Sequence, residues 1–186
     1  GKCSSCHNPH VSRDKGLMKD EINPLCLSCH KSIKGLIDKA VQHSAIRDGV
    51  CTDCHIAHSG ENENLLVKSE KELCWDCHEE LKEQLDKKFA CLPFKNGECS
   101  ACHNPHGASE NNLLVDNPID ICKKCHSTIK CKVGDVSIAS VTKKMDCISC
   151  HSGHSSDRKG ILGPYAHDAF LDNKCSECHT AISEGQ

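Results

Sequence analysis

Residues 99–107, CSACHNPHG, bring two cysteines and two histidines within nine positions. Cys99, Cys102 and His103 form C-x-x-C-H. At this spacing two thiols add to the vinyl groups of a haem while the adjoining histidine ligates its iron. The motif recurs at Cys3-Cys6-His7, Cys26-Cys29-His30, Cys51-Cys54-His55 and Cys74-Cys77-His78. It returns again at Cys122-Cys125-His126, Cys147-Cys150-His151 and Cys175-Cys178-His179. Eight motifs thus take sixteen of the 18 cysteines and eight of the 14 histidines. A disulfide framework has no need of a histidine after every second cysteine, and zinc sites have no reason to place one after all eight pairs. The motifs imply eight covalently held c-type haems, with the sixteen cysteines as attachment points and the eight adjoining histidines as proximal ligands.

Six histidines lie outside the motifs. His10, His58, His106 and His154 each follow a proximal histidine by three residues, always in an odd-numbered motif. His43 stands eight residues before Cys51, and His167 eight before Cys175. All six are expected to be distal ligands. The tether on His106 is too short to reach back to its own iron, so it is expected to cap a neighbouring one. Cys91 occupies the position eight before Cys99, and Ala139 the position eight before Cys147, with Cys131 another eight upstream. Two accounts of Cys91 and Cys131 stay open. As thiolate ligands they would complete a set of eight distal donors and favour ferric iron. As a disulfide they would leave two irons to Met18, Met145, a lysine, an open position or a histidine from another subunit.

What must position these residues is a repeat. Cys3, Cys51, Cys99 and Cys147 are 48 residues apart; Cys26, Cys74 and Cys122 keep the period, and Cys175 falls five late. Four units of two haems, about 1–48, 49–96, 97–144 and 145–186, are expected to form a single octahaem domain in which each unit packs mainly on its neighbours. Leu, Ile, Val and Phe make up just under a fifth of the chain, a level at which polypeptides usually stay disordered. Porphyrin rings must therefore supply the core. The fold class is a multihaem cytochrome c: mostly irregular chain with short α-helices wrapped around a stacked haem array. The clearest helix is expected over 70–88, and its counterpart near 26–41 is expected to break at Gly35. NPH, SGEN and GASENN read as loops, with Pro9 and Pro105 shaping turns. Leu65-Leu66-Val67 and Leu113-Leu114-Val115 are expected on haem faces, and Trp75 in a packing role. The formal charge of −3 becomes more negative with haem propionates, and no basic block offers a nucleic-acid surface. No run is long and apolar enough to span a bilayer.

The stretches QHSAIRDGVCTDCHIAHSG and CSACHNPHGASENNLL resemble the doubled C-x-x-C-H domain of multihaem c-type cytochromes, and four such units cover the chain. The resemblance implies electron transfer without substrate chemistry, and a place outside the cytoplasm, extracellular or periplasmic. Starting at Gly1 without a signal peptide, the chain reads as a mature form. Some members of that group build extracellular filaments in which subunits share haem ligands. The expected partners are therefore further copies of the chain with inter-subunit haem contacts, redox proteins, or mineral and other extracellular acceptors. A soluble periplasmic shuttle or conduit is the alternative. An oxidoreductase of nitrogen or sulfur oxyanions fits less well, because all eight motifs end in histidine and none stands out as catalytic.

Overall fold

A computed structural model describes residues 2–127, 132–133, 136–137, 147–172, 174 and 177. Odd and even motifs fold differently. The odd ones lie in 3₁₀ turns, Cys3–Ser5, Cys51–Asp53, Cys99–Ala101 and Cys147–Ser149. In each, the proximal histidine N–H closes the turn onto the carbonyl of the first cysteine, at 2.9–3.0 Å. The described even motifs lie at or just beyond the C-terminal ends of α-helices: α1 (Ile22–Cys29), α4 (Glu70–Trp75) and α7 (Pro118–Cys125). Local chemistry starts two of these. The Ser69 hydroxyl and the Asn117 side chain accept from Glu72 N–H and Asp120 N–H, and Pro118 takes the first helical position, where its missing N–H costs nothing.

The helix expected over 70–88 is in fact three pieces: α4, α5 (Glu80–Glu83) and a 3₁₀ turn at Gln84–Asp86. It breaks between Asp76 and Glu79 because Cys77 and His78 of the motif leave the helical path. The same rule breaks the counterpart at His30, between α1 and α2 (Lys31–Ile37), while Gly35 sits inside α2 with open space around it. Helical propensity placed no break in 70–88 and put the other at Gly35, and the attachment motif set both breaks instead.

Contacts divide the chain into two units. The first comprises residues 1–77 and 99–115. Here α1 packs on the Cys51–Asp53 turn, with the Asn23 side chain accepting from Cys51 N–H and donating to the Gly49 carbonyl, both at 2.9 Å. α4 packs on Cys99–Ala101, where the Glu70 carboxylate accepts from the Ser100 hydroxyl at 3.2 Å. Val41 and Ala108 form an antiparallel bridge through N–H···O bonds of 3.0 and 2.9 Å. The second unit comprises 78–98 and 116–186. In it β1 (Phe89–Ala90) pairs antiparallel with β4 (Ser155–Ser156), Phe89 opposite Ser156. α7 packs on Cys147–Ser149, and β2 (Lys132–Val133) pairs with β3 (Val136–Ser137). Phe89 and Ser156 lie one period after Val41 and Ala108, so each unit contains the same join. It links the tail of one repeat to the head of the next but one, a step further than packing between adjacent repeats alone.

The join demands small residues. Ala108, Ser155 and Ser156 are buried, and a Cβ added at Gly107 would collide with the Leu36 carbonyl. We expect Gly107→Ala to cost the haem-loaded protein on the order of 1–3 kcal/mol. Thermal melts check this, with Gly153→Ala, which meets nothing within 4 Å, as the neutral control.

Candidate haem-binding sites

Every odd-motif proximal histidine is held in the same way. Nδ1 of His7, His55, His103 and His151 lies 2.7, 2.9, 2.7 and 2.7 Å from the carbonyls of Gly16, Asn64, Asn112 and Gly160, each nine residues further on. Those residues have φ of 74°, 54°, 56° and 72°, and the next residue is also left-handed: Leu17, Leu65, Leu113 and Ile161 at 56°, 56°, 57° and 50°. For a non-glycine residue such a conformation costs on the order of 1–3 kcal/mol and persists where the surroundings impose it. Backbone pairing imposes it here. Asn8, Ile56, Asn104 and Ser152 N–H groups donate to the carbonyls of Leu17, Leu65, Leu113 and Ile161, all at 2.7 Å. A neutral imidazole that donates Nδ1–H to a carbonyl carries its lone pair on Nε2, the tautomer an iron ligand requires. Met18 occupies the bridging place held by Leu66, Leu114 and Leu162 in the other repeats, which gives it a packing role.

Two of the histidines three residues past the odd motifs lie against proximal histidines of other motifs. His58 lies against His7, with ring centres 5.9 Å apart and planes 16° apart, and His106 against His55 at 6.1 Å and 10°. Imidazole nitrogens bind first-row metal ions at about 2.0–2.1 Å, so two rings ligating one ion from opposite sides stand about 6 Å apart, centre to centre. Asn8, Asn104 and Ser152 side chains accept from the backbone N–H of His10, His106 and His154 and fix the turn that carries each ring. His106 is half-buried. Burial first, then the proximity of His55 and His43, holds it below the ordinary imidazole value, as a neutral donor. In the second unit His154 packs against Phe94, ring centres 4.8 Å apart.

His43, Cys91 and His167 share a local setting that their spacing only suggested. Each is the extended residue preceding a short helix: α3 (Ser44–Asp48), α6 (Leu92–Asn96) and α8 (Asp168–Leu171). Their φ/ψ values are −71/135, −62/135 and −70/137. Cys91 is a free thiol whose N–H donates to the His154 carbonyl at 2.8 Å. His167 lines, with Cys150, His151, Leu162, Tyr165 and Phe170, an apolar cleft of about 570 Å³. A flat, largely apolar ring tethered at Cys150 has its space there. Cys131, Ala139, Met145, Cys175, Cys178 and His179 lie outside the described residues.

Attachment thiols of successive motifs meet in chain order. Burial, followed by proximity to Cys51 and Cys6, pushes the Cys26 thiol up. Burial, followed by Asp53 and Cys77, does the same to Cys54. Cys74 and Cys99 share a hydrogen bond that raises Cys74 and lowers Cys99. With α7 on the Cys147–Ser149 turn, each described junction sets an even motif against the odd motif that follows it. Among the described residues no group of three or more His, Cys, Asp or Glu side chains forms a separate metal site, and no helix is long and apolar enough to cross a membrane.

The donor set, its tautomers and the ring spacings fit haem iron. The sequence signal for the carbonyl partners was present but unread: Gly16, Asn64, Asn112 and Gly160, residue types that tolerate left-handed backbone, recur at the 48-residue period. The Doubled CXXCH motif family matches the chain four times, over residues 1–35, 43–83, 92–130 and 139–184. No curated protein matches it. Those four matches cover most of the sequence, and the chain belongs to the Doubled CXXCH motif family, the multihaem c-type cytochromes of electron transfer.

Proposed function

We propose that this cytochrome passes electrons along all eight sites in motif order, without acting on a substrate, and that it does so outside the cytoplasm as a subunit of a conductive filament. A c-type haem, once attached, supplies a one-electron iron couple. The chain's part is to fix order, spacing and ligands. In the first unit thiols of successive motifs lie close, and His58 and His106 arrive from one repeat further on.

The observation that carries the filament is that offset. His58 meets His7, and His106 meets His55, by the same step of one period. The step is head-to-tail and repeatable, and a heterologous contact of this type made between copies generates an open assembly unless its rotation closes a ring. Applied between copies, it sets His10 of the following copy on the iron held by His151 of the one before. In this reading His43 and Cys91, both at helix starts, are further axial donors, the latter as thiolate.

One observation favours a self-contained carrier instead: His167 lines the same cleft as His151 and can cap that site from within the chain. Electron microscopy of the haem-loaded protein, paired with His10→Ala and His167→Ala, separates the two. A filament is expected as long fibres that His10→Ala dissolves into single particles. Uniform particles in the parent protein, with a high-spin iron produced by His167→Ala alone, would establish the carrier.

A further inference from the structure

The two residues after each of His10, His58, His106 and His154 form the head of a repeat. The third and fourth heads, Gly107-Ala108 and Ser155-Ser156, are buried. They pair with segments ten residues before an odd motif, Val41 before Cys51 and Phe89 before Cys99. His106 also lies on His55, so the third head is seated on an odd motif and on the segment that precedes it. In the first repeat Val11 is 71% exposed, and Ser59 and Gly60 of the second are exposed too. The segment ten residues before Cys147 ends β3 (Val136–Ser137). Val133 and Val136, only three apart in sequence, form the hydrogen-bonded pair of that sheet, so Ser137 N–H and C=O point to the edge away from β2.

The first and fourth repeats also depart from the others in residue type. Val11 stands where other heads have Ser59, Gly107 and Ser155, and Ile148 stands where other odd motifs have Ser4, Thr52 and Ser100. Ile148 is 48% exposed, and Tyr165 on the same cleft is 96% exposed. All four odd motifs hold the same group through the same spacing, so the haem gives no reason for an apolar residue at one of them alone. Exposed apolar side chains that recur on two separate faces mark an interface between those faces.

We propose that the head His10–Ser12 of one copy docks on the fourth repeat of a second copy, with Ser12 opposite Ser137 of β3 and Val11 closing an apolar seam with Ile148 and Tyr165. The occupant is a second copy because the seat repeats the one that the chain builds for its own third head. This rests on the filament reading and adds a contact whose affinity is separate from the bond of His10 to iron. Within a chain, connectivity keeps neighbouring repeats at high effective concentration, and small polar residues suffice. Between copies, the contact must also offset the freedom lost on association, and the apolar seam supplies this.

Sedimentation and electron microscopy of the haem-loaded protein, with eight haems verified by mass, test the seam. Val11→Ser and Ile148→Ser install residues that sister repeats already carry, which safeguards folding and haem attachment. Each is expected to raise the concentration at which fibres form by about tenfold, the effect of one buried aliphatic side chain. Where the parent assembles and neither variant does, an equimolar mixture of the two is expected to give pairs, because one copy keeps its head and the other its seat. Long fibres from that mixture would overturn the proposal. A variant that assembles at the parent's concentration, while His10→Ala still dissolves the fibres, would overturn the seam and leave the filament standing. A parent that stays as single particles would overturn both.

Discussion

Produced without covalent haem, the chain is expected to show the circular dichroism of an unfolded polypeptide and to be digested throughout by a nonspecific protease. The haem-loaded protein should resist. Among the described residues Ala108 is the one buried apolar side chain, while Val11 is 71% and Tyr165 96% exposed. The described α-helices run from four to eight residues and the described strands are two residues long. Isolated helices shorter than about 12 residues are marginal in water, and a lone pair of short strands fares no better. Among the described residues the polypeptide alone buries too little to offset the entropy of ordering it. Leu65, Val67 and Val115 are substantially exposed beside odd motifs. Mass spectrometry should find eight haems retained after denaturation. A compact, protease-resistant haem-free chain would refute this account of the core.

The second large effect is expected at His106. His106→Ala should convert one haem in eight from low to high spin, visible by electron paramagnetic resonance, and create one strong cyanide site. The ring lies 6.1 Å from that of His55, centre to centre, and is half-buried, so water is a poor substitute. His58→Ala should do the same at the His7 site, and the double variant should open two, because the two capped irons have separate ligands. Acid should mimic the mutation. His106 is held below the ordinary imidazole value, so the unfolded chain takes up this proton first. Its contribution to stability is present above about 6.5 and falls as pH drops below that. Eight low-spin haems in both variants would sink the pairing.

How much of this could be read from sequence depends on what fixes each feature. Covalent attachment fixes residue types at fixed spacing, so Cys3 through His179 announced the motifs and the 48-residue period directly. Spacing also grouped His43 with Cys91, and the structure adds that both begin a short helix. Propensity misled at 70–88, where helix-forming side chains argue for one element and the geometry of a haem motif requires the chain to leave the axis at Cys77 and His78. The carbonyl partners stayed hidden because a backbone group carries no side-chain signature, and its only trace is tolerance of positive φ. Spacing grouped His167 by its distance to Cys175, which lies outside the described residues, and the structure adds that His167 lines the cleft of His151.

The clasp of Val41 on Ala108 in one unit, repeated by Phe89 on Ser156 in the other, behaves like a lap joint: a segment is gripped past its immediate neighbour in sequence. Such a joint tolerates gain or loss of one entire module, because every grip re-forms against an equivalent segment. A deletion of a few residues instead throws all later grips out of step. Lineages carrying this architecture should therefore change length in whole modules, and engineers seeking longer conductors should splice at the same interval.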